Sequence, residues 1–175
     1  DVPFDDATLA EAWALWNAGH RYYLAGGTDV HDVWNHESGR IRTYARLDGP
    51  VTAAAYARAI KAGEAYVTYG PLIEPSVPFG SNLEVASGAP FALAFALRSV
   101  AGMAEVKLIQ GGKVVATRTF DGAPREARTE FKLTTQSPTW FSIEAVDAAG
   151  RRAFTNPVWI DVVSYPPPGS ASVAR

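Results

Sequence analysis

The chain has 175 residues, a net charge of −2, 47% hydrophobic and 19% charged residues, and no cysteine. That size and texture suit a folded domain or a domain plus a piece and exclude intrinsic disorder. Without a basic block, nothing favours nucleic acid or an anionic membrane surface. Disulfides and thiolate metal sites are excluded outright, and no apolar run approaches the ~20 residues that span a bilayer.

The first 18 residues predict a helix over residues 5–18, with Leu9, Trp13 and Trp16 on one broad apolar face. Asp5, Asp6 or Thr8 can cap its start, and Gly19 suits its left-handed exit. Two tryptophans on a short helix must be buried against something. The run Tyr22-Tyr23-Leu24-Ala25 reads as a short buried strand. It is followed by Gly26-Gly27-Thr28-Asp29-Val30-His31-Asp32, in which the two glycines permit a sharp turn. In extended backbone Asp29 and His31, two apart, project from the same side. A carboxylate and an imidazole converging at a strand end can ligate a divalent metal. The plain alternative makes Asp29 a turn or cap residue. Asp32 is a candidate partner for His31 and equally a turn cap. His36 is a candidate for reaching metal or substrate and otherwise a solvated loop histidine.

A strand is expected over residues 41–47 and a turn at Asp48-Gly49-Pro50. A second helix is expected over 53–62, with Thr52 as N-cap, Val51 and Tyr56 as a hydrophobic staple, and Gly63 as the C′ residue. Residues 1–63 therefore read helix, strand, loop, strand, helix, the closing portion of an α/β barrel with its motif at a strand's C-terminal end. From Ala65 the texture becomes β. Strand-like stretches start at Tyr66 and cover 91–98, 105–109, 114–120, 128–134, 140–147, 151–155 and 158–163. Hairpin turns fall at Gly111-Gly112 and Ala148-Ala149-Gly150. Residues 64–165 thus predict an antiparallel, immunoglobulin-like β-sandwich, and 166–175 a Pro- and Ser-rich tail.

Several blocks resemble, in order, the carbaryl-hydrolase-like branch of the PHP (polymerase and histidinol phosphatase) superfamily of metallohydrolases. They are Trp16-Asn17-Ala18-Gly19, the Gly-x-Asp-x-His of residues 27–31, Arg42-Thr43-Tyr44, Tyr66-Val67-Thr68-Tyr69-Gly70-Pro71 and Phe154-Thr155-Asn156-Pro157. The resemblance implies that the chain is the C-terminal part of a metal-dependent hydrolase. It implies two or three divalent ions of the Zn, Mn or Fe type, to which Asp29 and His31 contribute ligands. The substrate would be a small-molecule phosphoester, ester or carbamate. The family's upstream His-x-Asp-His motif has no counterpart here, since His20 and His36 do not form one. The chain by itself is therefore expected to be inactive. Its barrel-facing Trp13, Trp16 and Tyr56 are expected to seek the missing N-terminal portion as a separate chain, or another copy. The family setting favours a periplasmic or secreted location. A competing expectation is a non-catalytic sandwich that grips a carbohydrate or protein through exposed Tyr69, Trp140 and Trp159.

Overall fold

The computed structural model describes residues 6–32, 34 and 38–163. Helix α1 spans Asp6–Asn17. An irregular stretch leads from it to β1 (Arg42–Ala45), and helix α2 follows over Ala53–Ala62. Nine strands then build most of the β-structure: β2 (Ala65–Thr68), β3 (Leu72–Pro75), β4 (Asn82–Ala86), β5 (Phe91–Arg98) and β6 (Met103–Gln110) come first. β7 (Lys113–Thr119), β8 (Glu126–Leu133), β9 (Thr139–Asp147) and β10 (Arg152–Thr155) follow, and a tenth, β11 (Val158–Val163), closes the order.

Among the described residues the strands form two sheets, one of eight strands and one of three. In the larger sheet β9 is the spine. β6 pairs along one edge of it and carries β7 beyond. Along the other edge β10 and β11 take successive stretches of β9, interrupted between them at Asn156-Pro157. β2 and then β1 extend outward from β10. β4 lies outside β11 and runs parallel to it, so the sandwich is not wholly antiparallel as expected. The smaller sheet is β3-β5-β8. Alternation along β5 places Leu93, Phe95 and Leu97 inward, against Val106, Leu108, Phe141 and Ile143 of the larger sheet. The hairpin turns are where the glycines place them.

Residues 6–63 do not build a barrel segment of their own. β1 runs antiparallel to β2 and extends the sandwich sheet, whereas barrel strands are parallel. The expected strand at Tyr22–Ala25 does not form, because no strand backbone lies alongside it, and Tyr22 is 65% exposed. Trp16 is not left without neighbours. It is 2% exposed and clusters with Ile109, Trp140 and Trp159 on the outer face of the larger sheet, with Trp13 half-buried beside it. Its ring meets Trp140 edge-on at 5.0 Å between centroids. Trp140 Nε1 donates to Asn17 Oδ1 at 2.9 Å, and Trp16 Nε1 to the Tyr22 carbonyl at 2.6 Å. Asp6 does not close the helix start as a cap; Arg152 donates to its carboxylate and so holds the helix to β10. Thr8 lies inside the helix, and Asp5 falls outside the described residues.

Helix α2 has the expected cap and exit but not the expected staple, since Val51 is 87% exposed. Thr52 Oγ1 accepts from Ala55 N at 3.1 Å, and Gly63, at φ 78°, returns its N–H to the last turn. A Cβ at Gly63 would fall 2.5 Å from the Tyr23 ring, so the left-handed glycine also makes room for that side chain. Tyr56 is not a bare apolar face either, since its hydroxyl donates to the Thr43 carbonyl at 2.9 Å. No helix among the described residues is long and apolar enough to cross a membrane.

Candidate metal-ligand segment

Residues 24–28 run across the outer face of β1 and β2. At Leu24 and Gly26 the backbone groups bond to side chains instead of a neighbouring strand. The Asn156 side chain accepts from Leu24 N at 2.6 Å and donates to Leu24 O at 3.2 Å. Thr43 Oγ1 accepts from Gly26 N at 2.8 Å and donates to Gly26 O at 2.7 Å. Thr28 Oγ1 reaches both the N–H and the carbonyl of Ile41, at 3.4 and 3.3 Å. Gly26 is needed here for close approach: a Cβ would sit 2.8 Å from Val67 Cγ1. No turn forms at Gly26-Gly27; the backbone becomes left-handed at Asp29, with φ 51°, and bends at His31. An aspartate tolerates that left-handed conformation better than most residues do.

The two expected ligands come together. His31 Nε2 lies 3.9 Å from Asp29 Oδ1. Two donors on one tetrahedral ion, each about 2.1 Å from it, are roughly 3.4 Å apart, so a small side-chain rotation would let both reach a shared metal. They do not line the groove formed by α1 and residues 22–24. Their side chains are 91% and 74% exposed, because no described element packs over them. That groove is apolar and is lined by Leu15, Trp16, Tyr22 and Leu24. Asp32 takes the turn-cap role: its Oδ1 accepts from Trp34 N at 2.9 Å. His36 falls outside the described residues.

Among the described residues no three His, Asp or Glu side chains converge as a metal cage. Asp29 and His31 therefore fit part of a coordination shell, in donor type and spacing, and need ligands from elsewhere to complete it. The aromatic platform considered for the sandwich is mostly absent. Trp140 and Trp159 are 3% and 7% exposed, covered by α1 and Arg21, whose guanidinium lies 4.7 Å from the Trp159 ring centre. Asn156 and Thr43 fall in blocks that carry the family resemblance, but the sequence assigns neither a role. Asn156 reads in sequence as the residue before a proline at a strand start, and its partner Leu24 is 132 positions away.

No protein-family model and no curated protein sequence matches the chain. Solved structures similar to it cover about half of it. The sulfur carrier protein SoxY from Chlorobium limicola f thiosulfatophilum is 17% identical over 52% of this chain and 78% of its own, with a TM-score of 0.38. A chain of the titin M10–obscurin-like 1 Ig complex is 21% identical over 55% of this chain and 97% of its own, at 0.38. A chain from the fibronectin(III)-like modules of Clostridium thermocellum CbhA is 13% identical over 53% and 95%, at 0.34.

Proposed function

We propose that this chain is the C-terminal part of a PHP-like metal-dependent hydrolase, in which Asp29 and His31 hold divalent ions. The observation that carries the reading is their 3.9 Å approach at the end of a segment anchored at Leu24, Gly26 and Thr28. In this reading the segment bearing Asp29 and His31 meets a catalytic portion whose further metal ligands come from an N-terminal portion or another copy. The surface exposure of Tyr22, Val30 and Trp34 supports it, since all three would be covered by such a neighbour. Bound Zn, Mn or Fe would activate a water and polarise the oxygen of a phosphoester, ester or carbamate. The chain's own part is narrower: a carboxylate and an imidazole presented together, at the end of a segment held by Thr43 and Asn156.

The test is calorimetric titration of the 175-residue chain with Mn²⁺ and Zn²⁺, beside phosphoester, ester and carbamate assays. Weak binding, lost in Asp29→Asn and His31→Ala, is expected, with no turnover by the chain alone. Turnover should appear when the N-terminal portion is supplied. Binding unchanged by both substitutions would remove the metal role. Tight stoichiometric binding with robust turnover by the chain alone would show a complete site and overturn the partial-shell reading.

A further inference from the structure

We propose that Thr43 and Asn156 are positioning residues for the Asp29–His31 pair, replacing with side-chain hydrogen bonds the strand ladder that residues 24–28 lack. The inference rests on the reading of Asp29 and His31 as metal ligands. Asn156 is wholly buried at the junction of β10 and β11. Its amide nitrogen donates to Leu24 O and also to Ala65 O, the latter at 2.9 Å, while its oxygen accepts from Leu24 N. Both donor directions of the amide are thus directed at main-chain carbonyls on two different segments. Thr43 uses its single hydroxyl in both senses on Gly26, and its own carbonyl is held by Tyr56 of α2.

The anchored backbone groups belong to residues 24 and 26, two apart, as the N–H and C=O groups on one edge of an extended chain are, and Thr28 adds its own hydroxyl to the Ile41 main chain. Gly26 resting on Val67 sets the height of the segment above that sheet. Anchoring ends at Thr28, and the next residue, Asp29, turns the chain left-handed toward His31. A shift of the segment by one residue would exchange its two sides and carry Asp29 away from its present position. The principal core between the sheets contains no residue of this segment, so what these bonds place is the segment itself. In metal sites, the groups that hold the ligands affect affinity strongly without touching the ion.

NMR of the full 175-residue chain tests this with Thr43→Val, which keeps shape and removes the hydroxyl, and Thr43→Ser, which restores it. Asn156→Asp, which removes both donors, is the parallel variant at the buried anchor. In metal-free Thr43→Val the Gly26 amide should exchange about tenfold faster, and the Asp29–His31 side-chain NOE should fall away. With Mn²⁺ as probe, the concentration that broadens the His31 imidazole signals should rise about tenfold. Thr43→Ser should return all three to wild-type values, a rescue that a loss of packing would not show. Faster Gly26 exchange with an unchanged NOE and unchanged Mn²⁺ response would overturn the positioning role. Mn²⁺ broadening in the wild type that is centred away from Asp29 and His31 would defeat the metal reading instead. The metal-free NOE comparison would then still decide whether Thr43 places the pair.

Discussion

Asp147 ends β9 with a side chain closed off from water, and four donors converge on it. Ser99 Oγ and Arg151 Nε each reach Oδ2 at 2.8 Å, while Ala149 N and Arg151 N reach Oδ1 at 3.0 and 2.9 Å. Burial opposes the charge, but the hydrogen bonds from Ser99 and Arg151 and the guanidinium charge outweigh it and hold the carboxyl below its usual range. With the folded pKa depressed, the contribution is present above the unfolded value near ~4 and is lost as pH falls through the folded one. Asp147→Asn should therefore lower stability at neutral pH by about 2 kcal/mol and flatten the acid limb of a stability–pH curve below pH ~4. Denaturant melts between those conditions measure it; an acid limb as steep as wild type would remove Asp147 as its source. Tyr66 gives the opposite sign. Burial, partly offset by the N–H of Ile73 donating to its hydroxyl, pushes its pKa up to about 12. Stability should fall as pH rises from the ordinary tyrosine value of ~10 through that higher one, and absorbance titration should show one late tyrosine. None of the Asp147 network could be read from sequence beyond the turn it closes, because Ser99 lies 48 residues away.

Helix α1 shows how far local pattern reaches. Its apolar spacing announces a buried face, and Trp16 is indeed among the most buried side chains. The pattern carries no information about what covers that face. The partner is the sandwich, through Trp140, Trp159 and Ile109, with Asn17 and Asp6 bonding to Trp140 and Arg152 at either end of the helix. Trp16→Ala should cost about 3–5 kcal/mol, the usual range for a large aromatic removed from a core. A stability loss of only about a few tenths of a kcal/mol in denaturant melts would show that the helix is loosely docked. The strands missed by alternation are β3 and β4. β3 is four residues with a proline at its end, and β4 pairs in parallel at an edge, where one face has little to bury. The strand expected at Tyr22–Ala25 failed for the converse reason. An apolar run is not a strand without a backbone ladder, and here Asn156 and Thr43 take up the polar groups at Leu24 and Gly26 instead.

At the scale of the whole molecule, the outer face of the larger sheet decides which part can fold by itself. An isolated sandwich would present Trp140, Trp159 and Ile109 to water, and the Asn156 amide would lose Leu24. Its alternating strands alone argue that a fragment starting at Ala65 melts cooperatively. Packing argues the reverse, since uncovering aromatic area costs about 25 cal/mol per Å² and orphans buried polar groups as well. A 65–175 fragment should show a broad, non-cooperative thermal transition and bind a hydrophobic dye, while the full chain melts sharply. A sharp calorimetric peak from the fragment would establish the sandwich as independent of residues 6–64.

What the sequence determined by itself is local. Turn glycines, the Thr52 cap, the Gly63 exit and period-two alternation specify β5 to β11, α1 and α2, because each depends on neighbours a few residues away. The spacing of Asp29 and His31 is local too, but they meet across a left-handed Asp29 and not along the extended backbone that the spacing assumes. Only the tertiary structure decided that β1 extends the sandwich sheet and that α1 covers its outer face. It also decided that a carboxamide 132 residues away holds the segment leading to Asp29. Those are pairings of complementary surfaces and polar groups far apart along the chain, and a one-dimensional pattern carries no record of which satisfies which.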